Sequence, residues 1–415
     1  MIPQINQVEN YRKFIKKIFS NRQITIMFFG GSITEGATTF PSSGVNIDGK
    51  TFAESFNIKT DCWREITYKW LKNKFERFPG QFRQVNAAIG GTGSLFGAIR
   101  FNDHVAPYRP DLIFIDFAVN DNGVSTLSQY QPYAKKSLFR SIWSIIKRLY
   151  ELNPDIAIFM PLTTFRKAIG KQYTEWTEAM KKSAELYKVF CNNFRIPYLS
   201  VYDAYYNNKL DNIQTVKLYM GEDSPGNAVH PSKYGHKIIA QSVCNCLDKL
   251  FDTYQYDFSY SDYAGLSLSF DRLTPYPVSP VFVYPESFIS GPVIVNQAKN
   301  EEYIEINHSP AFSTKNIKDS FTYKFKGEMI GAWFDYQSAC SIEIRVNNRL
   351  LGCWTCNSTN TSDFGNEQYA IFADNLDPIA EHVLEMRPSK TQSLLNNLPF
   401  MWGIKALFID GQAES

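Results

Sequence analysis

The feature that most restricts the fold is the run Ile24–Phe29, in which apolar side chains dominate without polar alternation and which ends abruptly in Gly30-Gly31-Ser32-Ile33-Thr34-Glu35-Gly36. A short unbroken apolar run fits a strand covered on both faces. Such strands belong to parallel sheets layered between helices. The first part of the chain keeps that pattern. Gln84–Asn86, Leu112–Phe117, Ile156–Met160 and Pro197–Val201 read as further strands, and the segments between them carry helical spacing. Trp63–Phe78 follows Thr60 and Asp61, either of which could cap it. Tyr173–Phe194 repeats Trp176, Met180, Tyr187 and Cys191 on one face, and Ser232–Leu250 starts at Pro231-Ser232. Strands alternating with helices predict a doubly wound, mostly parallel α/β sheet.

In open sheets of this kind ligands bind beyond the carboxyl ends of the strands, and Ser32 stands at that place. Flanking glycines allow a sharp turn and a close approach of backbone to substrate, while the helix that follows directs its N-terminal N–H groups at developing negative charge. Ser32 is therefore a candidate nucleophile, although a serine here can equally do no more than cap the helix. Three other segments bear on the choice. Asn86-Ala87-Ala88-Ile89-Gly90-Gly91-Thr92-Gly93-Ser94 follows the second strand, Ala118-Val119-Asn120-Asp121 closes the Leu112–Phe117 run, and Val229-His230-Pro231-Ser232 precedes the last helix. In this order, over about Gln23 to Phe251, they resemble the four sequence blocks of the SGNH (GDSL-like) hydrolases. The resemblance implies a flavodoxin-like three-layer α/β/α fold and a serine esterase that needs no cofactor. It puts Ser32 on the nucleophile, Gly91 on the glycine whose N–H serves the oxyanion hole, Asn120 on the asparagine whose amide does the same, and His230 on the base.

The chain departs from the family at two places. Gly31 occupies a position often held by Asp, a change that touches none of those roles. Asn227 stands three residues before His230, where the family commonly has the Asp that orients the histidine. An amide can orient an imidazole but cannot offset imidazolium charge. Three arrangements stay open: a Ser32–His230 dyad with the imidazole held by Asn227 or a backbone carbonyl, recruitment of Glu222 or Asp223 from the same loop, or a scaffold that has lost catalysis.

The 415 residues carry 43 Lys and Arg against 41 Asp and Glu, a net charge of +2. No basic stripe is interleaved with aromatics, so the signature of nucleic-acid binding is missing. Arg12-Lys13-Phe14-Ile15-Lys16-Lys17 reads as the solvated face of an amphipathic N-terminal helix. No run of about 18 apolar residues occurs and Met1-Ile2-Pro3-Gln4 opens no signal-like segment, which predicts a cytoplasmic protein without a membrane span. Seven scattered cysteines form no disulfide framework. Cys353-Trp354-Thr355-Cys356 lacks the second pair a zinc site requires and reads as buried strand thiols. His104, His236, His308 and His382 are dispersed and read as structural or surface residues, so no metal is assigned. Gly91–Gly97 misplaces the third glycine of a dinucleotide fingerprint, and Gly30–Thr34 lacks the last glycine of a G-x-S-x-G elbow.

From about Tyr254 helical periodicity fades and short runs take over: Val281–Tyr284, Tyr303–Asn307, Phe321–Phe325, Met329–Phe334, Ser341–Val346, Leu350–Trp354, Tyr369–Phe372 and Val383–Met386. In Ile342-Glu343-Ile344-Arg345-Val346 apolar and charged residues alternate, and Asn347-Asn348 makes a tight hairpin turn. This predicts an all-β sandwich, jelly-roll-like in its topology. The expected organisation is an SGNH hydrolase domain over residues 1–255, a linker over 256–280 and the β-sandwich over 281–415. That combination resembles some carbohydrate esterases. Trp333, Trp354 and Trp402 could stack on sugar rings, but large aromatics on strands ordinarily fill a core. The chain then reads as a serine esterase that removes O-acyl groups, O-acetyl above all, from a carbohydrate. An O-acetyltransferase using the same site and a carbohydrate-binding protein on a decayed esterase scaffold are the alternatives.

Overall fold

A computed structural model describes residues 7–38, 45–47, 50–52, 56–122, 131–163, 174–201, 230–253, 280–283, 303–305, 312–314, 321–334, 340–356, 369–373, 376–389 and 402–413. Asn227, Glu222, Asp223, His308 and the expected linker up to residue 279 lie outside them. The chain divides into two compact units, one made of residues 1–98, 104–275 and 298–307, the other of 99–103, 276–297 and 308–415.

The first unit is built on a parallel sheet. Its strands are β1 (Ile24–Gly30), β4 (Phe82–Asn86), β5 (Leu112–Asp116), β6 (Ala157–Leu162), β7 (Tyr198–Ser200) and β9 (Tyr303–Glu305), and a separate hairpin joins β2 (Val45–Ile47) to β3 (Lys50–Phe52). Across the sheet the order is β7-β6-β5-β1-β4-β9, with every pairing parallel. Counting only the first five strands of this sheet along the chain, that order is 2-1-3-4-5, the flavodoxin-like arrangement. Its direction of travel reverses between β1 and β5, where such sheets open a crevice. Tyr303–Glu305 departs from its expected place among the sandwich strands. It pairs with β4, with Gln84 opposite Tyr303, and so covers an edge that would otherwise present unpaired N–H and C=O groups.

Every residue of β1 is buried, because period-two alternation sends its side chains into two different helical layers. Ile24, Ile26 and Phe28, with Leu112, Phe114 and Phe159, meet Tyr11, Phe14 and Ile18 of α1 (Gln7–Ile18), Trp63 and Leu71 of α3 (Trp63–Phe75), and Ile239, Val243 and Leu247 of a C-terminal helix, Lys233–Thr253. Phe28 stacks on Phe114 at 4.7 Å and meets the edge of Trp63 at 5.5 Å. On the opposite face Met160 touches Cys191, which lies on the helix Thr174–Phe194, and Phe194 stacks on Trp143 of the helix Gln131–Leu152. The sheet is thus the middle of three layers. Between β1 and α3 runs the short helix α2 (Ser32–Glu35), and α4 (Ser94–Ile99) and α5 (Phe101–His104) follow β4; the three long C-terminal helices just given are α6 (Gln131–Leu152), α7 (Thr174–Phe194) and α8 (Lys233–Thr253).

Neither Thr60 nor Asp61 caps α3. Its N-cap is Cys62 without a side-chain bond, since Asp61 is engaged by the Asn57 N–H at 2.8 Å and by Lys233 at 2.9 Å. The first N–H of the helix, on Trp63, is instead accepted by Nδ1 of His236 at 3.3 Å. Ser232 does start α8, its Oγ accepting the Gly235 N–H at 3.1 Å. α1 is amphipathic as expected: Phe14 and Ile18 are buried while Lys13 and Lys17 pair with Asp155 and Asp111.

The second unit is antiparallel throughout. Its strands are β8 (Pro280–Val283), β10 (Phe312–Thr314), β11 (Phe321–Phe334), β12 (Cys340–Val346), β13 (Arg349–Cys356), β14 (Tyr369–Ala373), β15 (His382–Pro388) and β16 (Trp402–Ala413). The runs Phe321–Phe325 and Met329–Phe334 are one strand, bulged between Gly327 and Met329. β16 lines one edge of β11; the other edge takes β15 over Phe321–Phe325 and β14 over Ile330–Trp333. Two partners on one edge divide the sheet into leaves. Phe334 of β11 closes the space between them, stacked on Trp354 of β13 at 3.6 Å and against Phe372 of β14 at 6.0 Å. This is a β-sandwich, and Trp333 and Trp354 are core residues, 1% and 0% exposed. Cys353 is half-buried rather than buried. His382 is a satisfied structural histidine, held by Asn347 at 2.9 Å and the Asp377 carbonyl at 2.8 Å.

The turn joining β12 to β13 has Asn347 and Asn348 at φ 53° and 64°, the two left-handed residues of a type I′ hairpin. Asn347 also accepts the Val383 N–H at 2.9 Å, so Asn348 is the position to test. Asn348→Gly should keep or raise stability, whereas Asn348→Val should lower it by about 1–2 kcal/mol, because a β-branched residue is strained at positive φ. Denaturant titration monitored on the β-rich unit checks the ordering; equal stability of the two variants would contradict it.

Candidate active site

β1 and β5 pair so that Gly30 lies opposite Asp116, and the backbone continues the contact, Gly31 N–H donating to the Asp116 carbonyl at 3.1 Å. The Asp116 side chain is buried at the end of an apolar strand. It accepts from the Thr34 hydroxyl at 2.6 Å, and from the Thr163 hydroxyl and N–H at 2.7 and 3.2 Å. Every donor is neutral, so burial outweighs the hydrogen bonds and pushes the carboxyl up to about 6. α2 is thereby pinned to the tip of the central strand. Its carbonyl end is held too: Arg64, 1% exposed, donates to the carbonyls of Thr34 at 3.1 Å and Glu35 at 3.3 Å. Arg64 pairs with Glu65, which accepts from Gln84 of β4 at 2.9 Å.

Ser32 is the first residue of α2, so its N–H has no intrahelical acceptor. Its Oγ lies 2.9 Å from Nε2 of His230. Burial lowers the pKa of His230 below the usual 6.5, which favours the neutral imidazole able to accept a proton.

The loop after β4 folds back on β1. Ile89 N–H donates to the Gly30 carbonyl at 3.0 Å, Ala88 N–H to Oδ1 of Asn86 at 3.1 Å, and the Thr92 hydroxyl to the Ile89 carbonyl at 2.7 Å. Gly90 touches α2 so closely that a Cβ there would fall 2.7 Å from Oε2 of Glu35 and 3.5 Å from Cβ of Ser32. Gly91 follows at φ 69°. From the other side comes Asn120, in the turn after β5. Its Oδ1 is buried with no hydrogen-bond partner among the described residues, and a Cβ on Gly31 would fall 2.0 Å from it. Gly31 therefore does bear on the site in this chain: only a hydrogen on its α-carbon leaves room for the Asn120 amide. Asp121 then locks the two loops together. It accepts the Ser94 N–H at 2.9 Å and the Tyr187 hydroxyl, and burial pushes it up to about 6.

Of the residues singled out by sequence, Ser32 and His230 are in direct contact, Gly91 adjoins a residue packed on Ser32, and Asn120 lies against the residue before it. Asn227 lies outside the described residues. Sequence reading missed the supports Thr34, Arg64, Asp116, Asp121, Thr163 and Tyr187, while His236 is a satisfied structural histidine, as expected, with both ring nitrogens bonded. One signal was present: Asp116 is a lone acid in an otherwise apolar run. Among the described residues no group of three or more His, Cys, Asp or Glu could hold a metal ion, and no helix is long and apolar enough to cross a membrane. A hydroxyl 2.9 Å from an imidazole whose neutral form burial favours is equipped to act as a nucleophile with a base beside it.

Comparison with known proteins bears on the fold and the family. No curated protein sequence matches the chain. A two-domain esterase (CEX) active on acetylated mannans has the same fold, at TM-score 0.62 and 16% identity over 98% of this chain and 96% of that one. The same kind of esterase co-crystallised with mannopentaose aligns at TM-score 0.61 and 16% identity, covering 98% and 95%. The sequence pattern of the GDSL-like Lipase/Acylhydrolase family matches residues 28–238, about half of the chain, spanning Ser32 through the start of α8. With the strand order and the match in agreement, this chain belongs to the GDSL-like lipase/acylhydrolase family of ester hydrolases.

Proposed function

We propose that the protein is a serine esterase that removes O-acetyl groups from a carbohydrate through an acyl-enzyme. The contact of Ser32 Oγ with His230 Nε2 at 2.9 Å carries this reading. Ser32 attacks the acetyl carbonyl carbon as its hydroxyl proton passes to His230. The tetrahedral intermediate collapses when His230 returns that proton to the departing sugar oxygen. Water then attacks the acetyl-serine with His230 again as base, releasing acetate and restoring the hydroxyl. Ser32 N–H, Gly91 N–H and the Asn120 amide nitrogen are the proposed donors to the oxyanion. The carbohydrate follows the fold neighbour active on acetylated mannans, and acetate release from acetylated oligosaccharides tests it directly. Asn227 is the proposed orienter of His230, in place of an acid.

A fluorophosphonate probe should label the wild-type protein covalently and fail to label Ser32→Ala. Because His230 must be neutral and its pKa is lowered, the labelling rate should hold down to below pH 6.5 before it falls. Labelling that persists in Ser32→Ala would remove Ser32 from the mechanism.

Asn120→Ala should lower kcat on an activated acetyl ester by about 10²-fold with little change in KM, since the amide meets charge present mainly in the transition state. Gly31→Ala should imitate it, because the added methyl occupies the space of the Asn120 amide. Full activity in Gly31→Ala would show that the amide is not needed where it stands.

Asn227→Asp should raise kcat by supplying the counter-charge an imidazolium lacks. If instead Glu222→Gln or Asp223→Asn alone abolishes turnover, the orienting group is that acid and not Asn227.

A further inference from the structure

His236 is buried and follows the histidine loop by one helical turn, at the start of α8. Both ring nitrogens are committed. Nδ1 accepts the Trp63 N–H at 3.3 Å, so the proton sits on Nε2, which donates to the Ala37 carbonyl at 2.9 Å. Ala37 belongs to the segment leaving α2, just beyond the helix that carries Ser32. A second bond joins the same two segments, the Thr38 hydroxyl donating to the Pro231 carbonyl at 3.2 Å. The Ser32–His230 contact is thus flanked by two bridges between nucleophile segment and histidine segment. The His236 end of that clamp is also tied to α8 and packed: His236 N–H bonds to the Ser232 carbonyl at 2.9 Å and the Phe56 ring lies 5.2 Å away. Burial pulls the His236 pKa down to about 4, so at neutral pH the ring adds no positive charge beside His230.

We propose that His236 is a positioning residue for the reaction, a neutral imidazole that ties Ala37 and the first turn of α3 to α8 and thereby sets the reach of His230 to Ser32. This rests on the proposed roles of Ser32 and His230. An aromatic ring filling the core would serve packing alone. Two saturated nitrogens, one of them capping α3 in place of an ordinary cap, serve geometry.

The test compares His236→Phe, which keeps a ring but loses both bonds, with His236→Gln, whose amide N–H can still reach the Ala37 carbonyl, and with Thr38→Val. Displacement of a base by about an ångström costs up to 10²-fold, so kcat on a soluble acetyl ester should fall about 10–100-fold in His236→Phe, with KM within about threefold. Most of that loss should be recovered in His236→Gln. The acid limb of fluorophosphonate labelling should move up toward 6.5 in His236→Phe, as water reaches a loosened His230. Thr38→Val combined with His236→Phe should lose more than the product of the single effects. Unchanged kcat in folded His236→Phe would overturn the inference, as would equal losses in Gln and Phe variants, or a loss that follows the folded fraction while the acid limb stays put. If Ser32→Ala or His230→Ala retains activity, the function fails; if both are inactive and His236→Phe is not impaired, only the role of His236 fails.

Discussion

The parallel pairing of β1 with β5 is the constraint on which the site depends. It sets Gly30 beside Asp116 and makes the ends of both strands share one crevice. Because the sheet order reverses there, the connections leave to opposite sides, and both following turns face the same space. Ser32 and Asn120, far apart in the chain, become neighbours through Gly31. The carbonyl of Asp116 takes the Gly31 N–H while its carboxyl takes Thr34. One residue of β5 thus fixes both the entry to α2 and the orientation of the turn that carries the hydroxyl.

Around that pair the protein places buried charged groups, Asp116, Asp121 and Arg64, matched by named partners. An unmatched buried group costs about 1–3 kcal/mol, so these contacts are specific rather than interchangeable. Asp116 and Asp121 are held by hydroxyls and backbone N–H groups, while Arg64 is matched by Glu65 and by the carbonyl end of α2. The effect is preorganisation. The loops after β4 and β5 are fastened to the sheet, to α4 and to α7 before any substrate arrives, as the proposed oxyanion donors require.

Much of this architecture was legible in local sequence. Ile24–Phe29 and Leu112–Phe117 declared buried strands because a continuous apolar run has few other stable uses, and Asn347-Asn348 declared its turn because few residues tolerate positive φ. Reading stopped where a residue's role depends on a distant partner. Tyr303–Glu305 has the same short alternation as a sandwich strand, and nothing within it says that the free edge of β4 would take it. Thr60 and Asp61 look like caps, yet the Trp63 N–H goes to a histidine contributed by α8.

The sequence by itself determined the class of fold, the presence of a second, all-β region and the four short blocks from which Ser32, Gly91, Asn120 and His230 are proposed, because apolar runs and turn residues are local signals. Only the tertiary structure decided which groups hold those blocks in register: Asp116 under α2, Asp121 between two loops, Arg64 on the carbonyls of α2 and His236 between α3 and Ala37. A buried polar residue has no function until its partner is known, and here the partners are brought together by sheet order and helix packing.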